Sequence, residues 1–222
     1  MSCSYDLCVA RPLLKDACKA ILSTILFHRL IGTNVPQTRN VFGPSSGSGQ
    51  RNDAAIEDST PVAYPALSDP HVDALIEECV SRAENLAATN ITTTPRTQKI
   101  LCTIQLRFLR QPVLPDTPAT EQVGRVVVED RPDAAEVADS WELWAIRILE
   151  YATSKPPNDK VHIARAVTQV KSILTNIVSR ACAQRAQIPA IVTVAVAPFA
   201  YTLAVIPGEI PEYSVGAERS GN

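Results

Sequence analysis

Both tryptophans of the chain stand in one stretch near its middle, SWELWAIRILEY, which covers residues 140–151. As a strand, this stretch would place Trp144 and Ile146 on one face and Trp141 and Leu143 on the other. As a helix it would also align Trp141 with Trp144, so periodicity alone leaves both structures open. The aromatic and β-branched residues favour a strand. Apolar side chains on both faces are typical of a strand that is covered on both sides, so we expect an interior strand.

Three amphipathic segments predict helices before and after this strand. The first begins at Pro12, which suits the first turn of a helix, and ends before Gly32. The second follows the capping residues Ser68 and Asp69 and continues to residue 86. The third, at residues 160–184, carries apolar residues at steps of three and four. This narrow stripe predicts a helix that lies against a sheet or a partner.

Alternating patterns predict further strands. The clearest covers residues 99–109, where apolar side chains alternate with Lys, Thr, Gln and Arg. We expect one face of this strand to be buried and the other to lie mostly in water. Shorter strands are expected at residues 5–9, 61–65, 123–128, 191–197 and 199–206. The segments 33–60 and 110–139 are rich in turn-forming, proline or acidic residues and are expected to be flexible loops.

The length of 222 residues suits one domain, which we place at residues 1–207, followed by a C-terminal tail at 208–222. The net charge of −2 gives no reason to expect binding to nucleic acid or to an anionic membrane. The first residues lack the basic and apolar regions of a signal peptide, so a cytoplasmic location is expected. The six cysteines form no CxxC pair, and we expect buried, reduced thiols without a zinc site.

One serine has the spacing of a hydrolase nucleophile, in Gly43-x-Ser45-x-Gly47. That chemistry requires a strand before the serine and an amphipathic helix after it, and the residues that follow here are polar. The three histidines are isolated in the sequence, and no nucleophile and base stand together. We therefore expect no enzyme, no cofactor and no metal, and we keep a serine hydrolase as a third hypothesis.

The segment 188–207 contains twenty uncharged residues, which is long enough to span a membrane. A tail-anchored membrane protein with a small cytosolic domain is therefore the alternative to a soluble protein. Pro189, Pro198 and Pro207 weaken a helical interpretation. The many β-branched residues favour two short buried strands joined at Pro198.

The third helical segment is basic. Between residues 155 and 185 there are six basic residues and one acidic residue, Asp159. A basic helical face can attract an acidic protein or phosphate groups, although it is more often simply solvated. No aromatic residues are interleaved with these charges, so nucleic-acid binding has little support.

Two stretches resemble the autophagy-related protein 101 family of HORMA-domain proteins. Residues 16–29, DACKAILSTILFHR, resemble the first helix of that family, including its His-Arg end. The sequence Ser140-Trp-Glu-Leu-Trp144, with Ala-Ile-Arg-Ile after it, resembles the family's Trp-Glu-x-Trp strand. The helix with Ile173-Leu-Thr-Asn-Ile-Val178 and the following Gln187-Ile-Pro189 also stand in the expected order.

The resemblance implies an α+β fold of the HORMA type, with three helices packed on one face of a mainly antiparallel sheet. It implies a non-enzymatic adaptor that binds and stabilises the HORMA domain of autophagy-related protein 13. It also places that adaptor in the kinase complex that initiates autophagosome formation, in the cytoplasm and at the phagophore assembly site. Any membrane contact would be indirect unless 188–207 is an anchor. The strand interpretation of 140–151 follows too, with Trp141 and Trp144 as core residues.

One family feature is missing. Members from animals and some fungi carry a Trp-x-Phe finger in the loop before the Trp-Glu-x-Trp strand, which recruits downstream factors. The loop at 110–139 is proline-rich and acidic and contains neither tryptophan nor phenylalanine. We therefore carry over no finger residue and expect no recruitment through such a finger.

HORMA dimers commonly use the long third helix, here residues 160–184. Its less apolar side carries five polar residues that we predict as partner contacts, beside the alternative of an ordinary solvated face. These residues are Arg165, Gln169, Ser172, Asn176 and Ser179.

Overall fold

The computed structural model describes residues 2–30, 35–42, 61–89, 100–109, 125–128, 140–149, 160–189 and 199–208. The α-helices in these ranges are α1 (Arg11–Arg29), α2 (Pro70–Thr89) and α3 (Lys160–Ala183), and a short 3-10 helix (Arg185–Gln187) follows α3. The strands are β1 (Ser2–Leu7), β2 (Pro36–Val41), β3 (Val62–Leu67), β4 (Ile100–Leu109), β5 (Arg125–Val128), β6 (Ser140–Leu149) and β7 (Tyr201–Pro207). Three helices thus combine with a mixed, mostly antiparallel sheet arrangement, and the expected α+β, HORMA-like fold is confirmed.

Five strands form the main sheet, in the order β1-β6-β4-β7-β5. β4 is antiparallel to both β6 and β7, whereas β1 runs parallel to β6 and β5 runs parallel to β7. The stretch with both tryptophans is therefore a strand with a neighbour on each side, as its two apolar faces predicted. In the described ranges, β1 and β5 form the two edges of this sheet.

The central strand β4 is buried on both faces, so the expectation of one face in water was wrong. Ile104 and Leu106 are fully buried, but so are Thr103 and Arg107 on the alternate positions, and Gln105 is only 4% exposed. The Gln105 Oε1 atom accepts hydrogen bonds from Nε and Nη2 of Arg107 at 3.1 and 2.9 Å. The alternating sequence shows which side chains are polar but not whether they are exposed. Polar side chains can be buried when they form hydrogen bonds with one another.

A β-bulge in β6 explains why two successive residues, Trp141 and Glu142, are both buried. Phe108 pairs with Glu142 and Leu109 pairs with Ser140, so Trp141 is an extra residue in the ladder. A bulge sets two residues of one strand opposite one residue of its neighbour. Trp141 is 9% exposed and Glu142 is 0% exposed.

A second, antiparallel sheet consists of β2 and β3. β2 (Pro36–Val41) falls inside the segment 33–60 that the composition predicted as a loop. Most of its side chains are exposed, and its only buried residue is Val41. The strand depends on pairing with β3, which is remote in sequence, and on packing of this small sheet against α1.

The three predicted helices are present. α1 packs against α2, α3 and β3, and twelve of its nineteen residues are buried. Pro12 lies in the first turn as predicted, whereas the helix ends at Arg29 with Leu30 as its C-cap, before Gly32. α2 packs against β4, β5 and β7, and the Asp69 Oδ1 atom accepts a hydrogen bond from the His71 backbone N–H at 2.9 Å. This aspartate caps the helix as its position predicted.

The apolar segment 188–207 ends in β7, which pairs with β4 and β5 inside the main sheet. Its last part is therefore strand and not the helix that a tail anchor would need. No helix in the described part of the chain is long and apolar enough to cross a membrane. The strand expected at 191–197 and the serine of the Gly43-x-Ser45-x-Gly47 pattern lie outside the described residues.

Candidate partner-binding surface

The five predicted contact residues lie along the outer side of α3. Arg165, Ser172, Asn176 and Ser179 are exposed, and Gln169 is partly buried. The apolar stripe of the helix faces the other way, where α3 packs against α1 and approaches β1 and β3. The polar side of α3 is thus free within the described structure, as a docking surface requires.

A cleft of about 690 Å³ separates α3 from β1, and we call it the β1–α3 cleft. Its volume is within the range of ordinary ligand pockets. The residues that line it come from the middle of β1 and from nearly three turns of α3. They are Ser4, Tyr5, Asp6, Ala164, Arg165, Thr168, Gln169, Ser172 and Ile173.

The cleft brings together three of the predicted contact residues, Arg165, Gln169 and Ser172. Asn176 and Ser179 lie further along α3 and do not line it. The structure therefore divides the predicted set into a cleft group and a group on the open helix surface. Ser4 and Asp6 of β1 belong to the same site and were missed, because nothing in a short strand pattern tells which helix will lie beside it.

Gln169 connects the two walls of the cleft through its side-chain amide. Its Oε1 atom accepts a hydrogen bond from the Cys8 backbone N–H at 3.2 Å, and its Nε2 donates to the Asp6 carbonyl at 3.1 Å. A carboxamide carries the same donor and acceptor as a peptide group. Gln169 therefore occupies the place of one peptide unit of a neighbouring strand.

These two hydrogen bonds show which backbone groups of β1 point away from the sheet. Successive residues of a strand direct their N–H and C=O groups to opposite sides, so alternate residues share one side. The Asp6 C=O and the Cys8 N–H point toward Gln169. The N–H and C=O groups of Ser2 and Ser4 therefore point in the same direction. β6 is the neighbour of β1 on the other side. Within the described residues, Gln169 thus bonds to the outer edge of β1 at one end of the strand.

The opposite end of the strand is also tied to α3. The Arg180 Nη1 atom donates to the Cys3 Sγ atom at 3.2 Å. Since Gln169 holds the end of β1 and Arg180 holds its beginning, α3 and β1 run in opposite directions along the cleft. α3 therefore contacts β1 near both ends of the strand, and the cleft lies beside Ser4, Tyr5 and Asp6.

The helix that forms one wall carries only positive formal charge. Its range Lys160–Ala183 contains four basic residues, Lys160, Arg165, Lys171 and Arg180, and no acidic residue. The chain as a whole has a net charge of −2, so this helix is a local exception. No ion pair involves Arg165 in the part of the chain that the structure describes. Such a face favours an acidic partner.

Tyr5 forms part of the cleft lining and connects it to the core. Its ring stacks on Trp144, with centroids 6.1 Å apart and planes 15° apart. Burial raises the pKa of Tyr5 above its ordinary value of 10.0, so the phenol is neutral and can donate a hydrogen bond. Its hydroxyl is buried and has no hydrogen-bond partner in the described structure. Trp144 itself is 1% exposed, and Trp141 lies in the same core against Phe108 and Phe199.

A buried ion pair joins α1 to β6 near these tryptophans. The Glu142 carboxylate accepts hydrogen bonds from Arg29 Nε at 2.5 Å and from Arg29 Nη2 at 2.8 Å. Both side chains are 1% exposed. Arg29 closes the helix that ends in His-Arg, and Glu142 stands in the Trp-Glu-Leu-Trp sequence. The two stretches on which the family resemblance depends are therefore in direct contact.

The cysteines offer no site for metal or for nucleophilic chemistry in the described ranges. All six are free thiols, and five are buried, whereas Cys182 is exposed although its helical pattern predicted burial. Burial raises the pKa of Cys79 and of Cys102 to about 12, so both are protonated at neutral pH. No group of three or more possible metal ligands occurs in the described residues.

The sequence was also compared with known protein families. The family model described as autophagy-related protein 101 matches residues 6–195, a range that contains α1, β6 and α3 together with the Arg29–Glu142 pair. A comparison with curated proteins found no match. Because the family match extends over most of the 222 residues, the chain belongs to the autophagy-related protein 101 family.

Proposed function

We propose that this protein is a non-enzymatic adaptor of autophagy initiation. It binds and stabilises the HORMA domain of autophagy-related protein 13, and through that protein it joins the initiation kinase complex. It acts in the cytoplasm and at the phagophore assembly site. The family membership supports the biological setting, and the exposed side of α3 with the adjoining β1–α3 cleft supplies a surface for the partner.

The observation that carries the proposal is the composition of that surface. α3 contributes exposed arginine, serine and asparagine side chains and no carboxylate. Arginine is enriched at protein interfaces and can bind two acceptor atoms of a carboxylate at once. α3 has an apolar side in the core and, on its outer side, an arginine that forms no ion pair with the described residues. Such a helix is suited to a partner that presents acidic groups.

Co-expression tests this function directly. The full chain is expressed with the HORMA domain of autophagy-related protein 13 from the same species, purified through a tag on one subunit and analysed by light scattering after gel filtration. We expect a stable complex with one copy of each chain. Failure of the two proteins to co-purify, when each is folded alone, would overturn the proposal.

A charge variant locates the interface. Arg165→Glu reverses one charge on α3, and Arg82→Glu makes the same change on α2, which packs on β4, β5 and β7. Arg82 is a suitable control because its exposed partner Glu78 is on the same helix. We expect Arg165→Glu to reduce recovery of the complex and Arg82→Glu to leave it unchanged. Equal recovery for both variants would remove α3 from the proposed interface.

A further inference from the structure

Within the described residues, the outer edge of β1 carries backbone groups that no strand pairs with. β1 has one neighbour, β6, in the described structure. Gln169 bonds to the outward C=O of Asp6 and the outward N–H of Cys8. Within the described residues, the outward N–H and C=O groups of Ser2 and Ser4 face no other strand along the same edge, over about 7 Å of strand. An edge with free backbone groups is a template for another extended chain.

Gln169 shows what kind of group this edge accepts. Its amide donates to one outward carbonyl and accepts from one outward N–H, as a peptide group of an added strand would do. Beyond Gln169 the β1–α3 cleft remains open beside Ser4. The lining of this space also includes the polar residues Thr168 and Ser172 of α3. Both features fit a polypeptide backbone better than an apolar ligand.

The charge of the cleft selects among peptides. Arg165 lies on the α3 wall and has no ion pair in the described ranges. Asp6, the acidic residue of the β1 wall, is already bound to Arg147, whose Nε donates to Asp6 Oδ1 at 2.6 Å. The available charge in the cleft is therefore positive, and an acidic side chain would complement it.

We propose that the β1–α3 cleft receives an extended, acidic segment of the partner, which adds to the outer edge of β1 as a sixth strand of the main sheet. The backbone of this segment pairs with Ser2 and Ser4, and one of its carboxylates binds Arg165. This proposal rests on the function proposed above and specifies how the partner is held. Strand addition supplies affinity through main-chain hydrogen bonds, and the alternate side chains supply specificity.

A proline variant tests the strand pairing. Ser4→Pro removes the outward N–H that an added strand would use, and proline is tolerated on an edge strand when its N–H side faces solvent. Ser4→Ala keeps the N–H and is the matched control. With the HORMA domain of autophagy-related protein 13 as the probe, we expect the dissociation constant of Ser4→Pro to be at least about tenfold higher than that of Ser4→Ala. Equal binding by both variants would overturn the proposal.

Hydrogen exchange of the wild-type complex tests the same strand pairing without a variant. We expect the amide protons of Ser2 and Ser4 to exchange more slowly in the complex than in the free chain. A complex that forms without this protection overturns strand addition and leaves the proposed function intact. Absence of any complex overturns both. Protection that rises with the concentration of the chain alone, together with a dimer in light scattering, would assign the edge to a second copy and would also overturn the proposal.

Discussion

Arg29 and Glu142 form a buried ion pair that joins the His-Arg end of α1 to the Trp-Glu-Leu-Trp strand. Arg29 is the last residue of α1, and Glu142 lies beside the β-bulge of β6, 113 positions away. Both charges are buried, and their paired geometry compensates for the loss of hydration. The sequence shows the two residues but not their pairing, because only the packing of α1 on the sheet brings them together.

Removing one partner of this pair should destabilise the protein strongly. In Glu142→Ala the guanidinium of Arg29 remains buried without a counter-charge, and we expect the free energy of unfolding to fall by about 3–5 kcal/mol. Chemical denaturation measures this change. The double variant Arg29→Met/Glu142→Leu removes both charges and should recover a large part of the loss. A cost below about 1 kcal/mol for Glu142→Ala would contradict a buried, isolated pair.

Glu77 links α1 and α2 at the surface, where it binds both Lys15 and Lys19. Partial burial opposes its ionisation, but hydrogen bonds from the two lysines outweigh this effect and lower its pKa below the ordinary value of 4.5. A carboxylate with a lowered pKa stabilises the folded state above its unfolded pKa. This contribution is lost as the pH falls through the lower folded value.

Thermal unfolding between pH 6 and pH 3 tests the Glu77 contribution. We expect the melting temperature of the wild type to fall more steeply below about pH 4.5 than that of Glu77→Gln, in which the titrating group is absent. Added salt should reduce the difference, since the ion pairs are exposed. Identical pH profiles for wild type and Glu77→Gln would contradict the assignment.

At the scale of secondary structure, periodicity located the elements that have a strong apolar pattern. All three helices and the strands β4 and β6 are close to their expected positions. β2 was missed because its sequence, Pro-Gln-Thr-Arg-Asn-Val, has no apolar alternation and its partner β3 is distant in the chain. The burial of both faces of β4 was missed for a related reason. The sequence of a strand does not show which other elements pack on its two faces.

Trp144 should contribute to the stability of β6 and not to the binding surface. It is 1% exposed and stacks on Tyr5. We expect Trp144→Ala to lower the free energy of unfolding by about 3–5 kcal/mol, since truncation of a buried aromatic leaves a cavity. Val178→Ala on the exposed side of α3 should change it by less than about 0.5 kcal/mol. A stable Trp144→Ala protein that no longer binds its partner would contradict the core assignment.

At the scale of the whole molecule, sequence and structure contribute different parts of the proposed binding surface. The basic character of α3 and its five candidate contacts follow from residue types and helical spacing. The cleft does not, because it depends on where the first strand of the chain meets a helix that begins more than 150 residues later. Gln169 illustrates the difference, since it stands among exposed polar residues yet bonds to the backbone of residues 6 and 8.

The central claim is that α3 and the β1–α3 cleft bind the HORMA domain of autophagy-related protein 13. Isothermal titration calorimetry with the wild type, Arg165→Glu and Arg82→Glu tests it most directly. We predict measurable 1:1 binding for the wild type, a dissociation constant raised at least about tenfold for Arg165→Glu, and an unchanged value for Arg82→Glu. Wild-type affinity in Arg165→Glu, or no binding by the folded wild type, would contradict the claim.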